Sequence, residues 1–347
     1  MFLQKFFAIA VSAICVLFIH GCNCSHNGSG SNVNSSSTRD SVYCNPVLPL
    51  NRPDPSVILA DDGYFYLYST GTYVPIHRSA DLVNWSSVGD AFTPDGKPSW
   101  NTSASSIWAP DINKIGDLYV MYYAMSKWGG IDEAGVGVAV AGSPSGPFAD
   151  NGSLVVGNEL GLLNLIDPFY IEENGKKYLF AGSFNGIYVW ELTDDGLSVV
   201  DKEDYTLVAG TMMEGTYIFK KDGYYYLFGS NGSCCEGESS TYKVIVTRSK
   251  NLLGPYLNKD GADALTNNYT LVLQGNDIVK GPGHNAEFIT DDNGDDWMLY
   301  HGYVSGHASE GRQVFLDKIV WTEDGWPQVS GLVPSASSAT PVFSAGD

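Results

Sequence analysis

GYFYLYST (63–70), GDLYVMYYA (116–124), GKKYLFAGS (175–183), GYYYLFGS (223–230) and DDWMLYHGY (295–303) are five copies of one pattern, an aromatic-rich strand entered through Gly or a charged turn. A short apolar run precedes each copy, in DPSVIL, PDINKI, DPFYIE, EGTYIF and HNAEFIT, and a further β-rich segment follows it, such as VPIHRSADLVNW or YKVIVTRSKNLLGPY. Aromatic and β-branched residues fit a pleated, half-buried surface, and the Gly, Asp and Asn between the runs supply turns. Several short strands per unit, repeated without any stretch of helical period, predict four-stranded blades in a circular array. Five units predict an all-β, five-bladed β-propeller, a single domain over residues 43–343 with a short tail at 344–347. A β-sandwich would not need the same aromatic strand at near-regular intervals, and a β-helix would need a much shorter period.

Composition agrees. The chain has 347 residues, 44% of them hydrophobic and 17% charged, with Gly 39 and Tyr 21. That is enough apolar material for a substantial core and argues against long, charged-faced helices. Asp+Glu 39 against Lys+Arg 19 gives a formal net charge of −20. Such a surface repels phosphate backbones, so no nucleic-acid partner is expected, and polyanionic substrates are disfavoured beside neutral ones.

Residues 1–21 carry one cation, Lys5, before the uncharged run Phe6 to Ile19, which at 14 residues is too short to span a bilayer. This is a signal-peptide pattern. Its end, Ile19-His20-Gly21-Cys22, resembles a bacterial lipoprotein box, which implies a lipid on Cys22 and a membrane-anchored, cell-envelope protein; a simple secretory signal is the alternative. Residues 22–42 are rich in Asn, Ser and Gly and read as a flexible tether. Cys44 and the adjacent Cys234-Cys235 remain for the folded part, too few for a disulfide framework. The pair is either a vicinal disulfide or two reduced buried thiols.

The residues that open the units carry the chemistry. The first strand of a propeller blade lines the central channel, and here it opens with Asp54, Asp111, Asp167, Glu214 and His284, which lie 9, 5, 8, 9 and 10 residues before Gly63, Gly116, Gly175, Gly223 and Gly294. Equivalent positions in a ring converge on one axis. Four acids and an imidazole at a channel mouth repel one another and are costly unless the charges are used. Asp before Pro at Asp54 and Asp167 predicts extended backbone there. Carboxylates around a neutral-ligand cleft suit glycoside hydrolysis: one acid protonates the leaving oxygen, one carboxylate activates water or attacks carbon, and a third raises the acid's pKa.

RPDPSVI, SSIWAPDI, IDPFYI, GSFNGIY, EGTYIFKKDGYYYLF, GSCCEG with STYKVIVTRS, and GPGHNAEFITDDNGDDWMLYHGY resemble, in order along the chain, the arabinanases of glycoside hydrolase family 43, which are five-bladed propellers. The resemblance implies an inverting hydrolase of α-1,5-linked arabinan, with Asp54 as general base, Glu214 as general acid and Asp167 as pKa modulator and orienting group. It implies a calcium ion at His284, with water completing the shell. It also implies substrate contacts at Asp54, Gly129, Asn164, Leu165, Ile166, Asp167, Ser183, Phe184 and Asn185. Family members often read GSFW where this chain has GSFN, so Trp108 or Trp128, each otherwise a core residue, is a candidate to stack on sugar instead. Asp111 is read as structural and Arg312 as neutralising part of the acidic cluster or forming a surface pair. Cys234-Cys235 stabilises a loop, since Glu236 does not supply the electropositive surroundings of a nucleophilic thiol. The expected partner is a neutral plant cell-wall polysaccharide, arabinan or its oligosaccharides, and the expected state is a monomer. Internal cleavage is expected, with an exo-acting arabinofuranosidase or β-xylosidase, or a non-catalytic carbohydrate-binding propeller, as the alternatives.

Overall fold

In a computed structural model that describes residues 41–344, each turn glycine has a positive φ (Gly63 78°, Gly116 60°, Gly175 76°, Gly223 74°, Gly294 82°), and a Cβ would meet open space, or at Gly223 only Lys250 Nζ at 3.9 Å. Glycine stands there for its backbone alone, letting the flanking strands fold back as a hairpin. The hairpins grow into five antiparallel sheets, each made from consecutive strands. Blade 1 runs Ser56–Leu59, Phe65–Tyr68, Pro75–Ser79 and Ser86–Asp90. Blade 2 runs Trp108–Ile115, Leu118–Lys127, Gly130–Ala141 and Ala149–Val156. Blade 3 runs Phe169–Glu173, Lys176–Ala181, Ile187–Leu192 and Tyr205–Ala209. Blade 4 runs Glu214–Lys221, Tyr224–Asn231, Lys243–Ser249 and Thr270–Gln274. Blade 5 runs Val279–Gly283 with Ile289–Thr290, then Asp296–Val304, Gln313–Trp321 and Pro327–Val329. The aromatic copies are the second strand of every blade.

Blade 5 departs from the expected continuous strand in HNAEFIT. Its inner strand is split between Val279–Gly283 and Ile289–Thr290, and the stretch between leaves the ladder because Glu287 reaches across to blade 1, accepting from Val57 N (2.6 Å) and Ser56 Oγ (2.9 Å).

The core lies between blades, where aromatic rings interdigitate. Phe288 sits 4.8 Å from Phe228 and 5.2 Å from Tyr217, centroid to centroid, joining blades 4 and 5. Burying such a ring contributes about 1.5–3 kcal/mol, and Phe228→Ala would cost roughly 3–5 kcal/mol with its cavity included. The ring is closed outside the blades by a ribbon pairing Val42–Cys44 with Ser337–Ala339. Asn45 stitches this end to blade 5, donating to Leu316 O (2.8 Å) and accepting from Leu316 N (2.9 Å). The expected signal segment, Cys22 and nearly all of the tether lie outside the described residues. No helix among the described residues is long and apolar enough to cross a membrane.

Candidate active site

One residue at the start of each inner strand has left-handed backbone: Asp54 (φ 55°), Ala109 (40°), Asp167 (55°), Gly215 (63°) and His284 (45°). The extended conformation expected before Pro55 and Pro168 is therefore absent. A short polar side chain tolerates φ > 0, and bonds from neighbouring blades hold it there. The Asp54 amide donates to His301 Nδ1 (3.0 Å), and Asp54 Oδ2 accepts from Thr70 Oγ1 (2.6 Å). Asp167 Oδ2 accepts from the Gly215 amide (3.0 Å). The left-handed turn aims these carboxylates at the channel mouth rather than along the strand.

The same register shows why Asp111 does not join them. Ala109 is the blade 2 counterpart of Asp54, and Asp111 lies two residues further in. It is buried, accepts from Tyr170 N (2.8 Å) and Asn113 Nδ2 (2.7 Å), and shares a hydrogen bond with Glu287.

Asp54, Asp167, Glu214, His284 and Arg312 line one cavity of about 400 Å³. A second cavity of about 400 Å³ is lined by Gly129, Asn164 and Phe184 and shares Glu214, Trp108, Trp128, Ile166 and the Cys234–Cys235 pair with the first. Together they are one cleft that passes Glu214.

The three carboxyls have different surroundings. Burial pushes Asp54 up, but the Arg312 guanidinium, whose Nη1 is 3.0 Å from Oδ1, offsets it, and the carboxyl lies well below its usual range. His301 Nδ1 stands 3.3 Å from the same oxygen yet accepts the Asp54 amide, so this imidazole is neutral; burial and Arg312 push its pKa down to about 4. Arg312 is thus the charge that holds Asp54 ionised. Asp167 is driven well above its usual range by burial, then by Glu214 and Asp54. Glu214 is raised by burial and by Asp54, although Ser183 Oγ donates to Oε2 (2.5 Å) and Tyr242 Oη to Oε1 (2.7 Å). An ionised base beside two carboxyls raised above their usual range, in a solvent-reachable cleft, is the division of labour that acid–base hydrolysis requires.

Residues 43–327 match the model of glycosyl hydrolases family 43. The chain belongs to this family. It is a glycosidase. It is 32% identical over 300 residues to an extracellular exo-α-(1→5)-L-arabinofuranosidase of Cellvibrio japonicus, covering 79% of this chain and 85% of that one. It is 32% identical over 305 residues to a probable arabinan endo-1,5-α-L-arabinosidase A of Aspergillus flavus, covering 83% and 94%. A Cellvibrio cellulosa α-L-arabinanase solved with arabinohexaose superposes with TM-score 0.74 at 30% identity, over 81% of this chain and 95% of that one.

In this family 43 chain the other expected contact residues fall in different places. Gly129, Asn164, Ile166 and Phe184 line the cleft. Ser183 is fully buried behind it, held by Asn164 Nδ2 (2.8 Å). Leu165 turns its side chain into the core between blades 2 and 3. Asn185 donates back to Ser183 O (3.2 Å) and lines neither cavity. Trp128, at the tip of a blade 2 hairpin, is 77% exposed and borders both cavities. Cys234 and Cys235 are joined as a disulfide on the cleft wall.

His284 offers a neutral imidazole, its pKa lowered by burial, with Nδ1 3.5 Å from Asp54 Oδ1. Among the described residues no group of three or more His, Cys, Asp and Glu side chains is placed to hold a metal ion. Calcium takes roughly six to eight oxygen ligands, so this donor set fits only an ion held mainly by water.

Thr70, His301, Tyr242 and Glu287 were not among the candidates. His301 is a single polar group inside an aromatic run, and that isolation is the signal that points to it; Thr70 and Tyr242 lie in polar stretches and carry no such signal.

Proposed function

We propose that this glycosidase cleaves α-1,5-linked L-arabinan within the chain, with inversion at the anomeric carbon. The observation that carries the reading is the cleft itself: two adjoining cavities both reach Glu214, which leaves room for a polysaccharide to extend past the acid rather than end against it. Asp54 takes a proton from water as the water oxygen attacks C1. The C1–O bond breaks, its electrons pass to the leaving oxygen, and that oxygen receives the Glu214 proton. Asp167 orients this assembly through the Gly215 amide, while burial and the ionised Asp54 keep the proton on Glu214. Inversion requires the two working carboxyls to stand roughly 6.5–9.5 Å apart. The polarised positions of Asp54 and Glu214 suit such roles, and relatives that act on arabinan support the substrate.

Product analysis on linear arabinan tests it. A ladder of oligosaccharides is expected. Arabinose alone would replace internal with exo cleavage, and no product at all would leave a binding propeller.

The protein is exported, a reading supported by the leader pattern and by an extracellular relative. It is tethered to the cell envelope through lipid on Cys22 and works as a monomer. His284 supplies the single protein ligand to a hydrated calcium ion, which when bound would stabilise negative charge at the channel mouth. Metal analysis should find calcium, and complete chelation should lower the melting temperature. Radiolabelled fatty acid should enter the wild type and not Cys22→Ala.

A further inference from the structure

Of the groups that touch Glu214, Tyr242 lies in neither the carboxyl cluster nor the expected contact set. It follows the Cys234–Cys235 loop and immediately precedes the third strand of blade 4. Its hydroxyl donates to Glu214 Oε1 at 2.7 Å, and its ring, 1% exposed, lies flat on His301 with centroids 5.7 Å apart at 11°. His301 in turn receives the Asp54 amide. One ring therefore touches the acid through its oxygen and the base through the imidazole on which it rests.

The surroundings are shaped to admit it. A Cβ on Gly283 would lie 2.1 Å from Tyr242 Cδ1, so the glycine just before His284 is the space the ring occupies. From the other side, Ser233 O accepts both the Thr241 and the Tyr242 amides (3.1 Å each). The same loop is pinned to blade 5 where Glu238 accepts from the Gly306 amide (2.6 Å).

We propose that Tyr242 is a positioning residue for the general acid: its hydroxyl fixes Oε1 and stabilises the carboxylate that remains after the proton has left. This rests on reading Glu214 as the acid. Ser183 holds Oε2, and because Asn164 already donates to Ser183 Oγ, that hydroxyl is oriented to donate onward. As the bond to the leaving oxygen breaks, negative charge grows on Glu214, and donors fixed beforehand bind that state better than the neutral acid. The other groups facing Glu214 are Asp54 and Asp167, which oppose its charge, Arg312, which favours it, and neutral His284, which packs against Gly215. Burial and Glu214 push the Tyr242 hydroxyl upward, so it remains a donor.

Tyr242→Phe keeps the ring and removes only the donor. On linear arabinan kcat should fall about 10-fold with KM little changed, and the alkaline limb of the kcat profile should move up by about one pH unit, because a bond that favours the ionised acid is gone. The loss should shrink on an aryl arabinofuranoside with a good leaving group, which needs little proton donation. Ser183→Ala should move the same limb the same way. An unmoved limb in Tyr242→Phe, or equal losses on both substrates, would reduce Tyr242 to packing. Glu214→Gln, measured alongside, separates the two ideas. Retained activity on arabinan there removes the acid assignment itself, whereas an inactive Glu214→Gln beside a wild-type profile for Tyr242→Phe removes only the role given to Tyr242.

Discussion

Two groups of buried or half-buried carboxyls occupy this channel, and they are built for opposite ends. At the mouth, Asp54, Asp167 and Glu214 line a cleft, a guanidinium holds one of them ionised, and Glu214 lines both of its cavities. Deeper in, Asp111 and Glu287 face each other with no cation among their partners and line neither cavity. Burial and the facing Glu287 push Asp111 well above its usual range, so Asp111 holds the proton and Glu287 accepts it. Besides Asn113 Nδ2 within blade 2, their bonds go to Tyr170 N, Val57 N and Ser56 Oγ, so the pair ties blades 1, 2, 3 and 5 together. A shared proton between enclosed acids is a joint; the same residue types with unequal neighbours and access to solvent are a reaction centre.

The widest separation between the two groups should come from isosteric amides. Asp54→Asn should lower kcat on every substrate by about 10⁴-fold or more, since no leaving group replaces the base. Glu214→Gln should lose about 10²–10⁴-fold on arabinan and much less on an activated aryl arabinofuranoside. Parallel losses on both substrates would remove Glu214 from proton donation.

Asp111→Asn should leave kcat within about 3-fold, because an amide can still accept from Tyr170 N and donate to Glu287. Its effect belongs in stability against pH. A carboxyl whose folded pKa is raised contributes stability that is present at low pH and lost as pH rises through the folded value. The variant should therefore lose less stability than the wild type on the alkaline side, as followed by denaturant midpoints across pH. Asp111→Ala removes the partner altogether and should cost about 3 kcal/mol or more. A large kcat defect in a folded Asp111→Asn would erase the distinction between the two groups.

Asp167→Asn tests whether the mouth stores repulsion. Asp167 is raised by burial, Glu214 and Asp54, so the neutral amide should raise the melting temperature by about 2 °C at neutral pH, more at alkaline pH, while kcat falls. An unchanged or lower melting temperature would show that the carboxyl is not under strain.

What could be read from the chain follows the range of the forces involved. The blades were legible because each aromatic strand carries its own glycine turn, a local requirement. Asp54 and Asp167 stood out through the Asp-Pro step, and Glu214 through its nearness to the same place in the repeat, although Gly215, one residue on, is the true counterpart of Asp54. Asp111 looked like a fourth member because the acid of WAPDI follows its proline where Asp54 and Asp167 precede theirs, and only the left-handed backbone at Ala109 reveals the slip. His301 and Glu287 were hidden for a different reason. A lone polar residue in an aromatic strand reads as an exposed position until the ring closes and brings Asp54 and His301, 247 residues apart, into contact.

The smallest expected effect concerns what the mouth has and the deeper pair lacks, a ligand lying across it. Trp128 is 77% exposed, held on a hairpin whose Lys127 pairs with Glu133 (3.2 Å), and it borders both cavities. A large apolar ring left in water at a cleft gains by covering a sugar face, and little of its area supports the fold. Trp128→Ala should raise KM for linear arabinan about 5- to 20-fold with kcat within about 3-fold, and stability should stay within about 0.5 kcal/mol. A short aryl arabinofuranoside, which reaches only part of the cleft, should show a smaller KM change. Equal KM values for wild type and variant on the polymer would mean that the chain crosses the acid without touching this ring, leaving Phe184 and the disulfide wall as the surfaces that hold it.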